Sequence, residues 1–372
     1  MKAVILVGGE GTRLRPLTCN IPKPMVPVVN RPFLEHTFSY LKRHNIDEVI
    51  LAMGYLPHRI KEHFSDGKDY GIKLTYEVED SPMGTGGAVK RLERQLDDTF
   101  VVMNGDVYTD LDITEMLETH KEKKSVCTIA MVPVEDPTKY GVIETSPANK
   151  IRKFTEKPGW DSVTSNNINA GTYIMEPKVL EEIPSSTFHM FEQGLFPKLL
   201  LGGESLYGFP LKGYWIDMGT VESYLKLHGD MLKGHAALNM PGKSKDGVRS
   251  DETAKIHRTA KIQGPVVIGP RCTVGPRARI TGPVVLGAGC SIGEDSALED
   301  CVLWRQASVG TQCTLNHCVI GNNAKIGNNV WVKSGSVVAD DAVIGDGNKL
   351  ENGIAIWPGH NLEPDSVTFV RR

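Results

Sequence analysis

The densest run of chemistry in this chain is Gly8-Gly9-Glu10-Gly11-Thr12-Arg13-Leu14-Arg15-Pro16-Leu17-Thr18, followed by Lys23-Pro24-Met25-Val26-Pro27. It comes directly after Lys2–Val7, whose near-continuous apolar character predicts a buried parallel strand. Glycines at a strand end let backbone N–H groups approach phosphate oxygens closely, because no Cβ intervenes. Arg13 and Lys23 add the positive charge that a glycine turn alone lacks. Two familiar phosphate loops do not fit. An ATPase-type loop would close here on Gly-Lys-Ser/Thr, and this one does not; a dinucleotide fingerprint would need a third glycine where Leu14 stands.

The elements that must position this loop alternate. Helical periodicity over 33–44, with Leu34, Phe38 and Leu41 on one face, is followed by strand-like Glu48–Met53, helical Pro57–Phe64, strand-like Lys73–Val78, a helix over 88–96, and strand-like Phe100–Asn104 ending at Gly105-Asp106. That order predicts right-handed βαβ units and a parallel sheet covered on both faces. Ligands of such sheets bind beyond the carboxyl ends of the strands. The glycine run at Gly8–Gly11, the glycine-rich segment Gly84-Thr85-Gly86-Gly87 and Asp106 fall at such ends.

Beyond residue 235 the character changes. Residues 236–253 lack apolar periodicity and read as a linker. From Ile256 an aliphatic residue recurs every six positions through Ile262, Ile268, Val274, Ile280, Leu286, Ile292 and Leu298. It steps by five to Leu303 and again from Leu315 to Ile320, then resumes at six to Leu350. Glycine follows many of these positions. A helix would show a period of 3.6 and would not tolerate so much Gly, Pro and Val. The spacing predicts a triangular solenoid of about five coils, roughly 25 Å long. The two five-residue steps, 17 residues apart in the chain, would stack as one shortened corner. The expected organisation is therefore a catalytic domain over 1–235, a linker over 236–253, a β-helix over 254–350 and a terminal cap over 351–372.

Bulk properties exclude several classes. The net charge of −3 and the lack of a basic half argue against nucleic acid as a partner. No stretch approaches the ~20 apolar residues that span a bilayer, so no membrane is expected. The first apolar run is too short for a signal-peptide core, which makes the cytoplasm the default. Seven cysteines without a C-x-x-C pair, five of them on the repeat, read as small core residues. The eleven histidines show no metal-like spacing.

The run at 8–27 resembles the signature of the sugar-1-phosphate nucleotidyltransferases, the NDP-sugar pyrophosphorylases, and later motifs fit the same family in order along nearly the whole chain. The resemblance implies a Rossmann-like mixed sheet in an α/β catalytic domain, then a C-terminal left-handed parallel β-helix. It gives Arg13 and Lys23 the triphosphate and its departing pyrophosphate, and makes Gly8, Gly9, Gly11 and Thr12 a cradle for phosphate and nucleoside. Asp106 and Asp217 match its Mg²⁺ positions. Tyr140-Gly141, Glu156-Lys157 and Asn169-Ala170-Gly171 match its grip on the sugar hydroxyls and phosphate, with Lys157 on the phosphate as a point charge.

In the same family the segment Glu79-Asp80-Ser81-Pro82-Met83-Gly84 reads the base. Glu79 stands where thymidylyl and uridylyl members usually carry Gln. A carboxylate only accepts hydrogen bonds, which suits the adjacent N1–H and N2–H₂ donors of guanine and repels the carbonyls of uracil and thymine. The resemblance thus leans to GTP, and within the family to the guanylyltransferases that use mannose 1-phosphate. The implied reaction is in-line attack of the sugar phosphate on the α-phosphorus, with pyrophosphate leaving. The nucleophile is already largely dianionic at neutral pH, so no general base is needed. A thymidylyl- or uridylyltransferase acting on glucose 1-phosphate is the alternative enzyme. Intact Arg13, Lys23, Asp106 and Asp217 argue against a silent nucleotide-sugar sensor. Only His257 and His317 lie in the coils, which argues against a hexapeptide acyltransferase. The β-helix is expected to assemble a homo-oligomer.

Overall fold

A computed structural model describes residues 1–237 and 245–368. The centre of the expected linker, 238–244, and the last residues of the expected cap, 369–372, lie outside the described residues. Packing divides the chain into two compact units. One comprises Met1–Glu10 and Leu34–Asp217. The other joins Gly11–Phe33 to Met218–Arg372.

The first unit is an α/β layered structure. Its strands are β1 (Lys2–Val7), β2 (Glu48–Met53), β3 (Lys73–Val78), β4 (Phe100–Asn104), β5 (Val107–Thr109), β6 (Cys127–Pro133), β7 (Gly141–Thr145), β8 (Ile151–Glu156), β9 (Asn167–Met175), β10 (Leu206–Pro210) and β11 (Trp215–Asp217). Nine of these form one sheet whose main path runs β8-β7-β9-β4-β1-β2-β3, with β6 beside β9 and β10 beside β6. The run β4-β1-β2-β3 is parallel, whereas β9 is antiparallel to β4. The sheet is therefore mixed, as the family resemblance implies. Val4, Ile50, Phe100, Val102, Ile129 and Tyr173 bury its core with Phe191 and Phe196. Among the described residues no helix is long and apolar enough to cross a membrane.

Helix α1 (Phe33–Arg43) and helix α2 (Pro57–Phe64) follow the expected periodicity. The helix expected over 88–96 instead begins early, as α3 (Gly84–Lys90), and yields to a short 3₁₀ turn at Glu93–Gln95. Tertiary contact explains the shift. The N–H groups of Gly86 and Gly87, orphan donors of the first helical turn, bond to the His189 carbonyl at 2.8 and 3.0 Å. A Cβ on Gly87 would stand 2.7 Å from the Thr187 carbonyl oxygen, so glycine is what allows that approach.

In the second unit the hexapeptide grid forms stacked parallel strands, and the grid residues Ile268 to Leu350 make a continuous buried column. Coil spacing explains the glycines after grid positions: a Cβ on Gly293 would lie 2.2 Å from the Gly310 carbonyl oxygen of the next coil. The shortened corners stack as expected, with Leu298 opposite Leu315, Cys301 opposite Cys318 and Leu303 opposite Ile320. Asp300 and His317 make the tight turns there at φ 50° and 49°.

The solenoid is longer than the expected five coils. Val248–Ser250 already pairs with Val266–Ile268, and beyond Leu350 the pairs Ala355–Ile356 and Asn361–Leu362 continue the ladders. Ile356 and Leu362 keep the six-residue step, so this stretch does not leave the grid. None of the seven cysteines is in a disulfide, and the five on the repeat are buried. Helix α4 (Ile113–Glu122) and helix α5 (Phe196–Leu201) belong to the first unit. Helix α6 (Val221–Lys233) belongs to the second, capped by Thr220 and Ser223, and packs on the strands Arg279–Leu286, Ala297–Leu303 and Thr314–Ile320.

Candidate functional site

In the first unit the parallel strands end level with one another. Val7 pairs with Met53, Met53 with Val78, and Leu6 with Asn104. The residues that follow, Gly8-Gly9, Gly54, Glu79 and Gly105-Asp106, therefore share one edge. Their approach is tight. A Cβ on Gly54 would lie 2.8 Å from the Gly8 carbonyl oxygen, and one on Gly105 would lie 2.7 Å from that of Leu6. The sequence assigns neither glycine a role of its own, although Gly105 stands beside Asp106 at its strand end.

Glu79 sits at the end of β3, its N–H bonded to the Met53 carbonyl at 2.8 Å. Its Oε2 accepts the Met83 backbone N–H at 3.1 Å, folding the following turn toward it. Burial pushes its carboxyl above the usual range, against the Met83 hydrogen bond and the Arg91 charge. Gly84 follows at φ 73°, and a Cβ there would meet the His189 carbonyl oxygen at 2.6 Å.

Asp106 follows β4, and the antiparallel pairing of β5 with β11 sets Asp217 opposite Val107, the residue after Asp106. Two aspartates far apart in sequence thus stand at neighbouring backbone positions. The Oδ1 of Asp217 is shielded from solvent. Among the described residues no group of three or more His, Cys, Asp or Glu could cage a metal. A pair of hard oxygen donors suits a cation that takes its remaining ligands from phosphate and water.

The predicted sugar-phosphate residues also converge in this unit. Gly141 pairs with Glu156 across β7 and β8, and the Lys157 N–H bonds to the Tyr140 carbonyl at 3.0 Å. A Cβ on Gly141 would come within 3.0 Å of Glu156 Oε2. Lys157 is exposed, its Nζ 3.5 Å from Glu156 Oε1. The Asn169 amide is engaged with its own strand: Oδ1 accepts the Gly171 N–H at 3.0 Å and Nδ2 donates to the Tyr173 hydroxyl at 2.8 Å. Gly171, at φ 73°, packs on the Asn104 side chain.

Two residues not singled out from sequence join this cluster. Trp215 donates to the Ala170 carbonyl at 2.9 Å and meets Tyr140 edge-on at 5.8 Å. Glu192 accepts from the Thr85 hydroxyl at 3.1 Å, while that hydroxyl accepts the Phe191 N–H at 2.8 Å. Burial pushes the Glu192 carboxyl up, and Glu156 and Lys157 both act on it electrostatically. Glu192 lies in a short stretch of π-helix at Phe191–Leu195, a conformation that no local pattern announced.

The remaining predicted residues, Gly11, Thr12, Arg13 and Lys23, belong to the second unit. Gly11 adopts φ 63°, and a Cβ there would press to 3.2 Å on both the Lys23 Cβ and the Thr18 Cγ2. The Thr18 hydroxyl donates to the Gly11 carbonyl at 2.9 Å. Lys23 is only 6% exposed, while Thr12 and Arg13 are exposed. The Arg13 guanidinium lies flat against Gly219: a Cβ on that glycine would be 2.8–2.9 Å from its Cζ and both terminal nitrogens. Gly219 is a further residue that sequence reading left without a role.

Comparison with known proteins agrees with this fold. Residues 2–234 match the family model "Nucleotidyl transferase", and residues 245–350 match "EIF2B subunit epsilon LbH domain". A mannose-1-phosphate guanyltransferase of Hypocrea jecorina is 35% identical over 98% of this chain and 97% of its own. A UTP–glucose-1-phosphate uridylyltransferase of Synechocystis is also 35% identical, over 72% of this chain and 74% of its own. Among solved structures, HddC from Yersinia pseudotuberculosis complexed with GMP-PN is 32% identical with a TM-score of 0.53, covering 61% of this chain and 97% of that one. Members of the family generally use a divalent metal. The parallel solenoid strands are those of a left-handed β-helix, and the chain as a whole belongs to the nucleotidyl transferase family.

Proposed function

We propose that this chain transfers the guanylyl group of GTP to mannose 1-phosphate, releasing pyrophosphate. The observation that carries the base assignment is Glu79: a carboxylate at the strand end, held by the Met83 N–H, with capacity left to accept from guanine N1–H and N2–H₂. The guanyltransferase named among the relatives supports the same reading. The uridylyltransferase relative keeps a second reading in view, uridylyl transfer to glucose 1-phosphate.

In the proposed reaction the chain's residues work by position and charge. Gly8, Gly9, Gly11 and Thr12 offer backbone and hydroxyl donors to the triphosphate. Arg13 neutralises the leaving pyrophosphate, and Lys23 the region of the α-phosphate. Lys157 holds the attacking phosphate, while Tyr140, Gly141, Glu156, Asn169 and Gly171 shape the sugar's place, with Glu192 beside them. Asp106 and Asp217 would hold Mg²⁺, which when bound supplies charge neutralisation at the phosphate oxygens. No side chain has to remove a proton, because the attacking phosphate monoester already carries its second charge at neutral pH.

We also read the protein as cytoplasmic, in keeping with seven cysteines that form no disulfide, and as a homo-oligomer assembled through the solenoid, where Trp331 and Trp357 are exposed. Pyrophosphate release, measured with each of GTP, UTP and dTTP against mannose and glucose 1-phosphates, tests the substrate assignment. The largest kcat/KM belongs to the GTP–mannose pair; a preference for UTP or dTTP overturns it. A monomer by light scattering removes the assembly.

A further inference from the structure

The Lys23–Pro27 end of the signature is held by the solenoid. Pro27–Val28 pairs with Arg31–Pro32, leaving Val29 and Asn30 as a two-residue turn. Both have positive φ, 46° and 66°. Asn tolerates that region; a β-branched residue there is strained, and Val29 is fully buried besides. Strain of this kind persists only where the surroundings over-determine the conformation.

Three contacts within the second unit do so. The Asn30 Nδ2 donates to the Leu286 carbonyl of the solenoid at 2.9 Å. The Tyr224 hydroxyl of α6 donates to the Pro27 carbonyl at 2.6 Å, and itself accepts the indole N–H of Trp304, a solenoid residue, at 2.9 Å. Farther back along the signature, Asn20 bonds to Asp340 of a later coil. Tyr224 and Trp304 are 0% and 2% exposed. Their polar atoms form a relay sealed from water, in which each hydrogen bond is costly to lose.

We propose that Trp304, Tyr224 and Asn30 are positioning residues, a strut through which the β-helix sets the conformation of the catalytic Lys23–Pro27 segment. The β-helix then serves turnover as well as assembly. This rests on the nucleotidyl transfer proposed above, since it gives the strut a consequence for rate. None of the three need touch substrate. They act through Lys23, whose backbone closes the local turn: Val26 N–H to the Lys23 carbonyl at 3.1 Å, and Phe33 N–H to the Val26 carbonyl at 3.1 Å.

The test uses the full-length protein and the variants Tyr224→Phe, Trp304→Phe and Asn30→Gly. The last keeps the positive φ and removes only the side-chain bond at an exposed position, so it folds. Each variant lowers kcat about tenfold, a loss expected from a small misplacement of a catalytic group. The KM for sugar 1-phosphate stays unchanged, because its grip lies in the first unit. The double variant Trp304→Phe/Tyr224→Phe falls no further than either single one, as members of one relay do. His317→Ala, which removes a different tie between α6 and the solenoid, lowers Tm and leaves kcat at the parental value. Hydrogen exchange supplies a readout independent of turnover: the amides of Met25, Val26 and Phe33 exchange faster in the strut variants, and those of β4 do not. If the parent shows no turnover with any substrate pair, the proposed function fails while exchange still decides the strut. Parental kcat together with parental exchange in Tyr224→Phe and Asn30→Gly overturns the strut.

Discussion

The Glu79 carboxylate accepts the backbone N–H of Met83 at 3.1 Å, which fixes one oxygen and orients the other. A glutamine can keep that bond through its amide oxygen, but its second group becomes a donor. Glu79→Gln therefore exchanges an acceptor for a donor with little change of shape. Hydrogen bonds to a charged group contribute about 1.5–3 kcal/mol, so kcat/KM for GTP falls roughly 10- to 100-fold while UTP or dTTP is used relatively better. Pyrophosphate release across the three triphosphates measures this. An unchanged order of preference would remove Glu79 from base reading.

Gly219 provides the surface on which Arg13 rests. Its φ is one that any residue adopts, and an added Cβ would meet the tip of a flexible side chain rather than backbone. Gly219→Ala should accordingly leave Tm within a degree or two of the parent and displace the guanidinium. Misplacing a catalytic group by about 1 Å can cost on the order of 100-fold, so kcat drops by about that factor. Retention of full turnover would show that Arg13 needs no such support.

Asp106 and Asp217 share one end of the β5–β11 pair. If they hold the metal together, Asp106→Asn and Asp217→Asn each raise the Mg²⁺ concentration for half-maximal rate by about tenfold or more, one ligand's worth of charge in a two-carboxylate site. Titrating Mg²⁺ at saturating substrates reads it directly. A rise in only one variant would assign the metal to that residue alone.

Glu192 links the Thr85 hydroxyl to the neighbourhood of Glu156 and Lys157. Glu192→Gln preserves its volume and its bond to Thr85 but removes an acceptor. The expected result is a rise of about tenfold in KM for the sugar 1-phosphate, the loss of one charge-assisted hydrogen bond, with KM for GTP unchanged. Equal effects on both substrates would make Glu192 a structural residue.

His317 ties the start of α6 to the solenoid, with Nε2 3.1 Å from Glu222 and Nδ1 on Asp300. Burial works against its charge, but the hydrogen bonds to Asp300 and Glu222 prevail and its pKa is raised. A raised folded-state pKa stabilises the fold fully below the unfolded value of about 6.5, and that contribution disappears as pH rises through the raised value. Thermal melts should therefore separate parent from His317→Ala by more at pH 6 than at pH 9. A separation independent of pH would mean that the ring acts by packing alone.

Much of this protein is written in short spacings. The signature from Gly8 to Pro27 is local, and so is the six-residue grid, because a solenoid coil repeats the same environment at a fixed chain interval. The reaction family and the two architectures were readable for that reason. Asp217 could be named only through family resemblance; its closeness to Asp106 is a matter of β5–β11 register. What lay beyond sequence was whatever depends on residues far apart in the chain. Tyr224 and Pro27 are separated by 197 positions, Tyr224 and Trp304 by 80, and Asn30 and Leu286 by 256. No periodicity encodes such pairs, since they arise only when packed elements bring their backbones together. Tertiary packing alone decided that Arg13 lies on Gly219, that the first turn of α3 donates to His189, and that the Gly11–Phe33 segment groups with the β-helix.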